Sequence, residues 1–94
     1  MDINFDAAKN SKNIAERNLS SDMVARFDFD TAHVYVDDRR DYGEIRYIGV
    51  GYIEKRLHVV VFTATETGLR VLSLRKANER EVKAYDQRSK TPAR

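Results

Sequence analysis

The chain contains no cysteine. Disulfides and thiolate metal sites are therefore excluded, and the composition fits a reducing compartment. The single proline, Pro92, lies in the C-terminal tail. There are four glycines but no glycine-rich phosphate loop. The longest apolar run, Val59 to Phe62, is far too short to span a membrane. Met1-Asp-Ile-Asn has neither a basic nor an apolar leader, so no secretory signal is read and a cytoplasmic location is expected. No nucleophile elbow is present. His33 and His58 lack ligand-like spacing to each other or to a carboxylate cluster, and both read first as structural or surface residues. No metal site and no cofactor are expected.

What the chain does have is charge. Charged residues make up 34% of its 94 positions and apolar residues 41%, which is globular composition with a highly charged surface. The net charge of +2 conceals an asymmetry: residues 1–44 carry 6 Lys/Arg against 10 Asp/Glu, and residues 45–94 carry 11 against 5. A basic half on a small domain suggests an anionic partner, unless the two halves lie across one another and neutralise. The length is that of one domain, read as residues 1–87, with 88–94 as a disordered tail.

Ile3-Asn4-Phe5 reads as a short strand. Asp6 then caps a helix over Ala7 to Asn18, with Ile14 toward the core and Asn18 as a left-handed C-cap. Ser20 or Ser21 opens a second helix carrying Met23, Val24 and Phe27. Ala32 to Val36 alternates as a strand. Asp37 to Asp41 forms a charged loop, and Tyr42-Gly43 marks its turn. Glu44 to Ile53, Leu57 to Thr65 and Leu69 to Lys76 read as three strands joined by short turns, an antiparallel meander. Asn78 caps a final helix with Val82 and Tyr85 on its apolar stripe. The whole predicts an α+β protein: a short N-terminal strand, two helices, an antiparallel sheet of about four strands, and a C-terminal helix.

The candidate chemistry lies in cations interleaved with aromatics: Lys9, Lys12, Arg17, Arg46, Arg75, Lys76 and Arg80, with Tyr47 and Tyr85. Cations neutralise phosphates and tyrosines offer stacking surfaces to unpaired bases, so the set suits RNA. Strand alternation puts Arg70, Leu72, Leu74 and Lys76 on one face and Val71, Ser73, Arg75 and Ala77 on the other. Arg75 then sits among small and apolar neighbours, where a charge needs an anion. Arg46 raises the same question between Ile45 and Tyr47. Two guanidiniums on neighbouring strands would clamp a phosphate. The alternative is that each pairs with a local carboxylate such as Glu44. For Tyr47 and Tyr85 the alternative is core packing.

The same segments carry a family resemblance. Phe5-Asp6-x-x-Lys9, Asn13, Glu44-x-Arg46-Tyr47-x-Gly49, Phe62-Thr63 and Arg70-x-x-Ser73-x-Arg75-x-Ala77, with Glu79-Arg80-Glu81 and Tyr85, together resemble the BrnT toxin family. The resemblance spans about residues 2–86 and rests on order and spacing, not on any single motif. It implies a RelE-like fold and a ribonuclease toxin of a type II toxin–antitoxin system that blocks translation. It also implies a BrnA-like ribbon-helix-helix antitoxin as partner, with operator DNA reached only through that antitoxin and messenger RNA as substrate. The acidic loop Asp37 to Asp41 and the apolar residues around Met23 and Phe27 are read as antitoxin contacts.

A metal-independent ribonuclease can use the RNA's own 2′-hydroxyl as nucleophile. It must align that group, stabilise the phosphorane and move two protons. Arg46 and Arg75 are expected on the phosphate. Glu44 is the candidate base, and Lys9 is a second candidate if neighbouring cations ease its deprotonation. Arg17, Lys12, Tyr47, Lys76, Arg80 and Tyr85 are expected to bind RNA. One departure matters: where the family usually has Lys-His-Gly, this chain has Glu16-Arg17-Asn18. Arginine can hold phosphate but cannot exchange a proton usefully near neutrality. A second reading is therefore a catalytically weakened toxin fold acting through its antitoxin complex in promoter repression.

Overall fold

A computed structural model describes residues 2–90. The elements are β1 (Asp2–Phe5), α1 (Ala7–Arg17), a 3-10 helix (Ser21–Arg26), β2 (His33–Val36), β3 (Tyr47–Ile53), β4 (Arg56–Ala64), β5 (Gly68–Lys76) and α2 (Glu79–Lys90). They form one five-stranded sheet in the order β1-β5-β4-β3-β2. β3, β4 and β5 make the expected meander, and β2 adds antiparallel to β3. β1 pairs parallel with β5, so the N-terminal strand belongs to the sheet and raises its strand count to five. Among the described residues no helix is long and apolar enough to cross a membrane.

Local chemistry explains the element ends. The Asp6 carboxylate accepts the Lys9 backbone N–H at 3.0 Å, and this bond holds its pKa below the ordinary value. Asn18 closes α1 in the left-handed conformation at φ 57°, returning its N–H to the Ile14 carbonyl. The expected second helix is a single six-residue 3-10 segment, in which Met23 N–H bonds Ser20 O and Phe27 N–H bonds Val24 O. At α2, Asn78 Oδ1 accepts from Glu81 N–H while Glu81 Oε1 accepts from Asn78 N–H, a reciprocal capping box. The helix continues through Lys90, past the expected boundary at 87/88; the remainder of the expected tail, 91–94, lies outside the described residues.

The main core lies on one sheet face, where Leu19, Val24, Phe27, Ile53, Val60, Phe62, Leu69, Val71 and Leu74 are buried together. Strict alternation along β5 fails here. Val61 pairs with Ser73 but Phe62 pairs with Val71, so Leu72 is an extra, bulged residue. The bulge turns Val71 and Leu74 onto the same face, correcting the expected separation of Val71 from Leu74. It also leaves Ser73 and Arg75 on the opposite face.

Ile14 does not enter the core: it is 44% exposed, and α1 has no buried residue. The inward stripe of α1 is instead polar, at Asn10, Asn13 and Arg17. Asn10 Oδ1 accepts Ser21 N–H at 2.7 Å, and Asn13 Nδ2 donates to Leu19 O and Leu74 O. Arg17 Nη1 also donates to Leu74 O, at 3.3 Å. These backbone groups have no ladder partner at the end of β1, and the helix docks by satisfying them.

The second face is partly covered by α2. Tyr85 and Val82 pack over Val50, Leu57, Val59 and Ala77. The Tyr85 hydroxyl donates to Thr31 O at 2.8 Å, tying α2 to the segment entering β2.

Candidate functional site

Where α2 stops short, the second face opens into a cleft of ≈ 560 Å³. Ile48, Val59, Val61 and Ser73 are among its lining residues, from three successive strands. Arg75 enters from β5, Lys9 from α1, Tyr35 from β2, and Asp37, Asp38, Arg39, Tyr42 and Arg46 from the segment between β2 and β3. The bulge at Leu72 matters here because it sets which β5 side chains reach this face.

Arg75 meets a carboxylate, though not Glu44. Its Nη1 and Nη2 donate to Glu81 Oε1 and Oε2, each at 2.7 Å. These hydrogen bonds raise the Arg75 pKa and lower that of Glu81. Arg46 does pair with Glu44, at 3.4 Å, a looser contact. Its guanidinium also stacks on the Tyr42 ring, 4.0 Å from the centroid, and Arg40 lies 5.5 Å from the same centroid.

The opposite wall is built on Asp37. Only 1% of its side chain is exposed, and it takes Arg39 Nε and Nη2 at 2.7 Å each. The Tyr42 hydroxyl adds a third bond at 3.1 Å, and Asp37 N–H bonds Arg46 O at 2.8 Å. The Arg39 guanidinium holds the Asp37 carboxyl well below the usual carboxylate range, and Asp37 in turn raises the arginine. Asp37 thus fixes both Tyr42 and the backbone of Arg46. The acidic loop is an internally wired wall more than a field of loose carboxylates.

Of the sequence-derived candidates, the structure brings Arg46, Arg75 and Lys9 into the cleft. Arg46 precedes β3, and β4 separates β3 from β5, so the two arginines are not on neighbouring strands. Glu44 touches Arg46 but does not line the cleft. Lys12 is exposed and pairs with Glu16 at 3.8 Å. Lys76 and Arg80 are exposed outside it. Arg17 lines a separate hollow of ≈ 110 Å³ with Asn13 and Leu74; Lys9 borders both spaces.

The two tyrosines follow the core-packing alternative. Tyr47 stacks on Phe62 at 5.5 Å between centroids, on the main-core side. Tyr85 is 7% exposed, stacked by His33 at 4.3 Å and met edge-on by Tyr52. Phe27 is buried, so it offers no surface contact, while Met23 is half-buried against the same core. Sequence reasoning missed Glu81, Asp37, Asp38, Arg39, Tyr42 and Tyr35 as cleft residues. The Asp37-x-Arg39 spacing and the Asn78-x-x-Glu81 box were visible signals, but neither says which face it serves.

Among the described residues, no group of three or more His, Asp or Glu side chains could hold a metal ion. Comparison with curated proteins finds no match. Residues 5–81, which hold Lys9, Arg46, Arg75, Glu81 and the whole Asp37–Tyr42 wall, match the family described as ribonuclease toxin, BrnT, of type II toxin-antitoxin system. With most of its length matched, the chain belongs to the BrnT family of ribonuclease toxins, and its fold is the α+β sheet-and-helix arrangement described above.

Proposed function

We propose that the cleft is where this toxin cuts RNA, as a metal-independent endoribonuclease that inhibits translation by cleaving messenger RNA. The observation that carries the reading is the convergence of Lys9, Arg46 and Arg75 on one cleft with an apolar floor. A sugar and base can rest on Ile48, Val59 and Val61 while the cations meet the phosphate. In the proposed step the 2′-oxygen attacks the adjacent phosphorus and the bond to the 5′-oxygen breaks. The products are a 2′,3′-cyclic phosphate and a 5′-hydroxyl.

Arg75 and Arg46 stabilise the charge that grows on the non-bridging oxygens. Each well-placed donor of this kind is worth roughly 10²–10³ in rate. Glu81 holds the Arg75 guanidinium by its two terminal nitrogens, and Nη1 also donates to Lys76 O at 3.4 Å, leaving Nε–H and the second N–H of Nη2 for a phosphate. Lys9 makes no salt bridge among the described residues, and its ammonium is suited to give a proton to the leaving 5′-oxygen. Asp37 and Glu81 are engaged by arginines, so Asp38 is the lining carboxylate assigned to take the 2′-hydroxyl proton. Glu44, outside the lining, orients Arg46.

The position of Arg17 supports an active enzyme over a weakened binding module. Its guanidinium is used on Leu74 O, in the neighbouring hollow, and the family histidine it replaces is not required to complete the set in the cleft. The test is antitoxin-free protein with a defined messenger RNA in chelator, with and without ribosomes. Wild type and Arg75→Ala would be run side by side, with cleaved ends mapped. Cuts that are lost in the variant, bearing cyclic phosphate ends, uphold the reading. A folded Arg75→Ala protein that cuts at the wild-type rate removes Arg75 from it.

A further inference from the structure

A second hollow of ≈ 110 Å³ adjoins the cleft on its β2 side. Tyr35 and Glu81 line both spaces. His33 pairs with Val50 and Tyr35 with Ile48 in the β2–β3 ladder, so these side chains share the second sheet face. α2 supplies the other wall. Residues 81, 84, 85 and 88 recur at helical spacing and fall on one side of the helix. Ala84 is the small member of that stripe, and its methyl leaves room between Glu81 and Arg88.

The walls suit a planar base rather than a phosphate. Val50, Ala84 and the stacked His33–Tyr85 pair are apolar or aromatic, and the Tyr35 ring is 46% exposed. Both Glu81 oxygens are already taken by Arg75. Arg88 lines the hollow and makes no salt bridge among the described residues. Its guanidinium offers donors only, so it selects a base edge made of acceptors. Guanine presents O6 and N7 side by side, the pair that arginine grips with two N–H groups. Adenine sets an N6–H donor beside N7, and the pyrimidines are smaller and lack N7.

We infer that this hollow selects a guanine base, on the nucleotide whose 2′-oxygen attacks. Lys9, assigned to the leaving 5′-oxygen, enters from α1, which docks on β5. The hollow lies on the other side of β4, at β3 and β2, and Asp38, assigned to the 2′-hydroxyl, follows β2. The nucleotide 5′ of the cut therefore extends toward the hollow, and the leaving nucleoside rests on the floor of Ile48, Val59 and Val61. The enzyme cuts on the 3′ side of guanine and leaves guanosine 2′,3′-cyclic phosphate ends. Arg88 is the specificity residue, Tyr35 the stacking surface, and Ala84 the residue that keeps the space open. The side of the cut rests on the cleavage roles proposed above; the choice of base rests on the walls of the hollow alone.

Titration calorimetry of the full chain with the four nucleoside 3′-monophosphates tests the hollow without any cleavage. End mapping on an RNA of mixed sequence tests the side of the cut. Guanosine 3′-monophosphate should bind at least about tenfold tighter than the other three, and cut ends should carry guanosine cyclic phosphate. Arg88→Met keeps the stem without the donors, and Ala84→Leu fills the space. Each should erase the guanine preference while uridine 3′-monophosphate binds within about twofold of wild type. Equal affinity of the wild type for all four nucleotides overturns the inference. So does an Arg88→Met protein that loses affinity for all four alike, which would put Arg88 on the phosphate. A guanine preference that survives in both folded variants overturns it as well. If guanosine 3′-monophosphate is preferred but no RNA is cut, the cleavage reading falls and the guanine hollow stands. If RNA is cut with no base preference, the hollow falls and the cleavage reading stands.

Discussion

Arg75 and Glu81 meet end to end across the junction of β5 and α2, through two contacts of 2.7 Å, while the same Glu81 carboxylate caps the helix at Asn78 N–H. The start of α2 and the aim of the Arg75 guanidinium are thus one mechanical unit. Glu81→Gln should lower the cleavage rate without removing a group from the RNA, because Arg75 is then held by weaker bonds. Both side chains are partly exposed, so solvent screens the pair, and a double-mutant cycle in urea should give a coupling of about 0.5–1 kcal/mol. Its pH sign is set by the lowered Glu81 pKa. The contribution is complete above the ordinary value of 4.5 and is lost as pH falls through the folded value. A coupling of zero, with no change in rate, would remove Glu81 as a positioning residue.

Arg17→His restores the side chain usual in the family. Arg17 bonds Leu74 O and Asn13 rather than lining the cleft, so the cleavage rate should change by less than about threefold. Single-turnover rates on a defined RNA decide it. A large gain would mean that position 17 acts on the chemistry and would revive the weakened-toxin reading.

His58 is buried at 3% exposure. Its Nδ1 lies 2.8 Å from Arg56 O, and its Nε2 has no partner. Burial lowers its pKa from the ordinary 6.5. The unfolded chain therefore takes up this proton first, and stability must fall as pH drops below about 6.5 until the folded value is passed. His58→Leu should flatten the fall in Tm between about pH 7.5 and about pH 5.5. Parallel curves for the two proteins would show that another group governs that range.

Gly51 sits where a Cβ would approach Ala32 Cβ and Phe27 Cζ at 2.8 Å each. Gly51→Ala should therefore cost about 1–3 kcal/mol in chemical denaturation, by forcing Phe27 off its place against Phe29. A cost below about 0.5 kcal/mol would mean that the Phe27 ring moves freely, contrary to its burial.

The site residues divide by how far their partners lie along the chain. Lys9, Arg46 and Arg75 were legible as candidates because each interrupts or borders a recognisable element. Glu81 was legible only as a helix cap. Nothing local says that its carboxylate also turns back onto β5. Tyr85 could be read as a stacking surface or as a core residue, and its contacts with His33, Tyr52 and Thr31 separate the two.

The meander, the caps at Asp6, Asn18 and Asn78, and the α+β class could be read from the amino-acid order, because they depend on bonds and periodicities spanning a few residues. Face and company could not. A single bulged residue, Leu72, reassigns Val71 and Leu74 to one core, and unmet backbone groups on β5 and beside it turn α1 polar side inward, leaving Ile14 in solvent. Those outcomes depend on which carbonyls and side chains meet after the sheet closes. That is a property of contacts distant in sequence, and only the tertiary structure decides it.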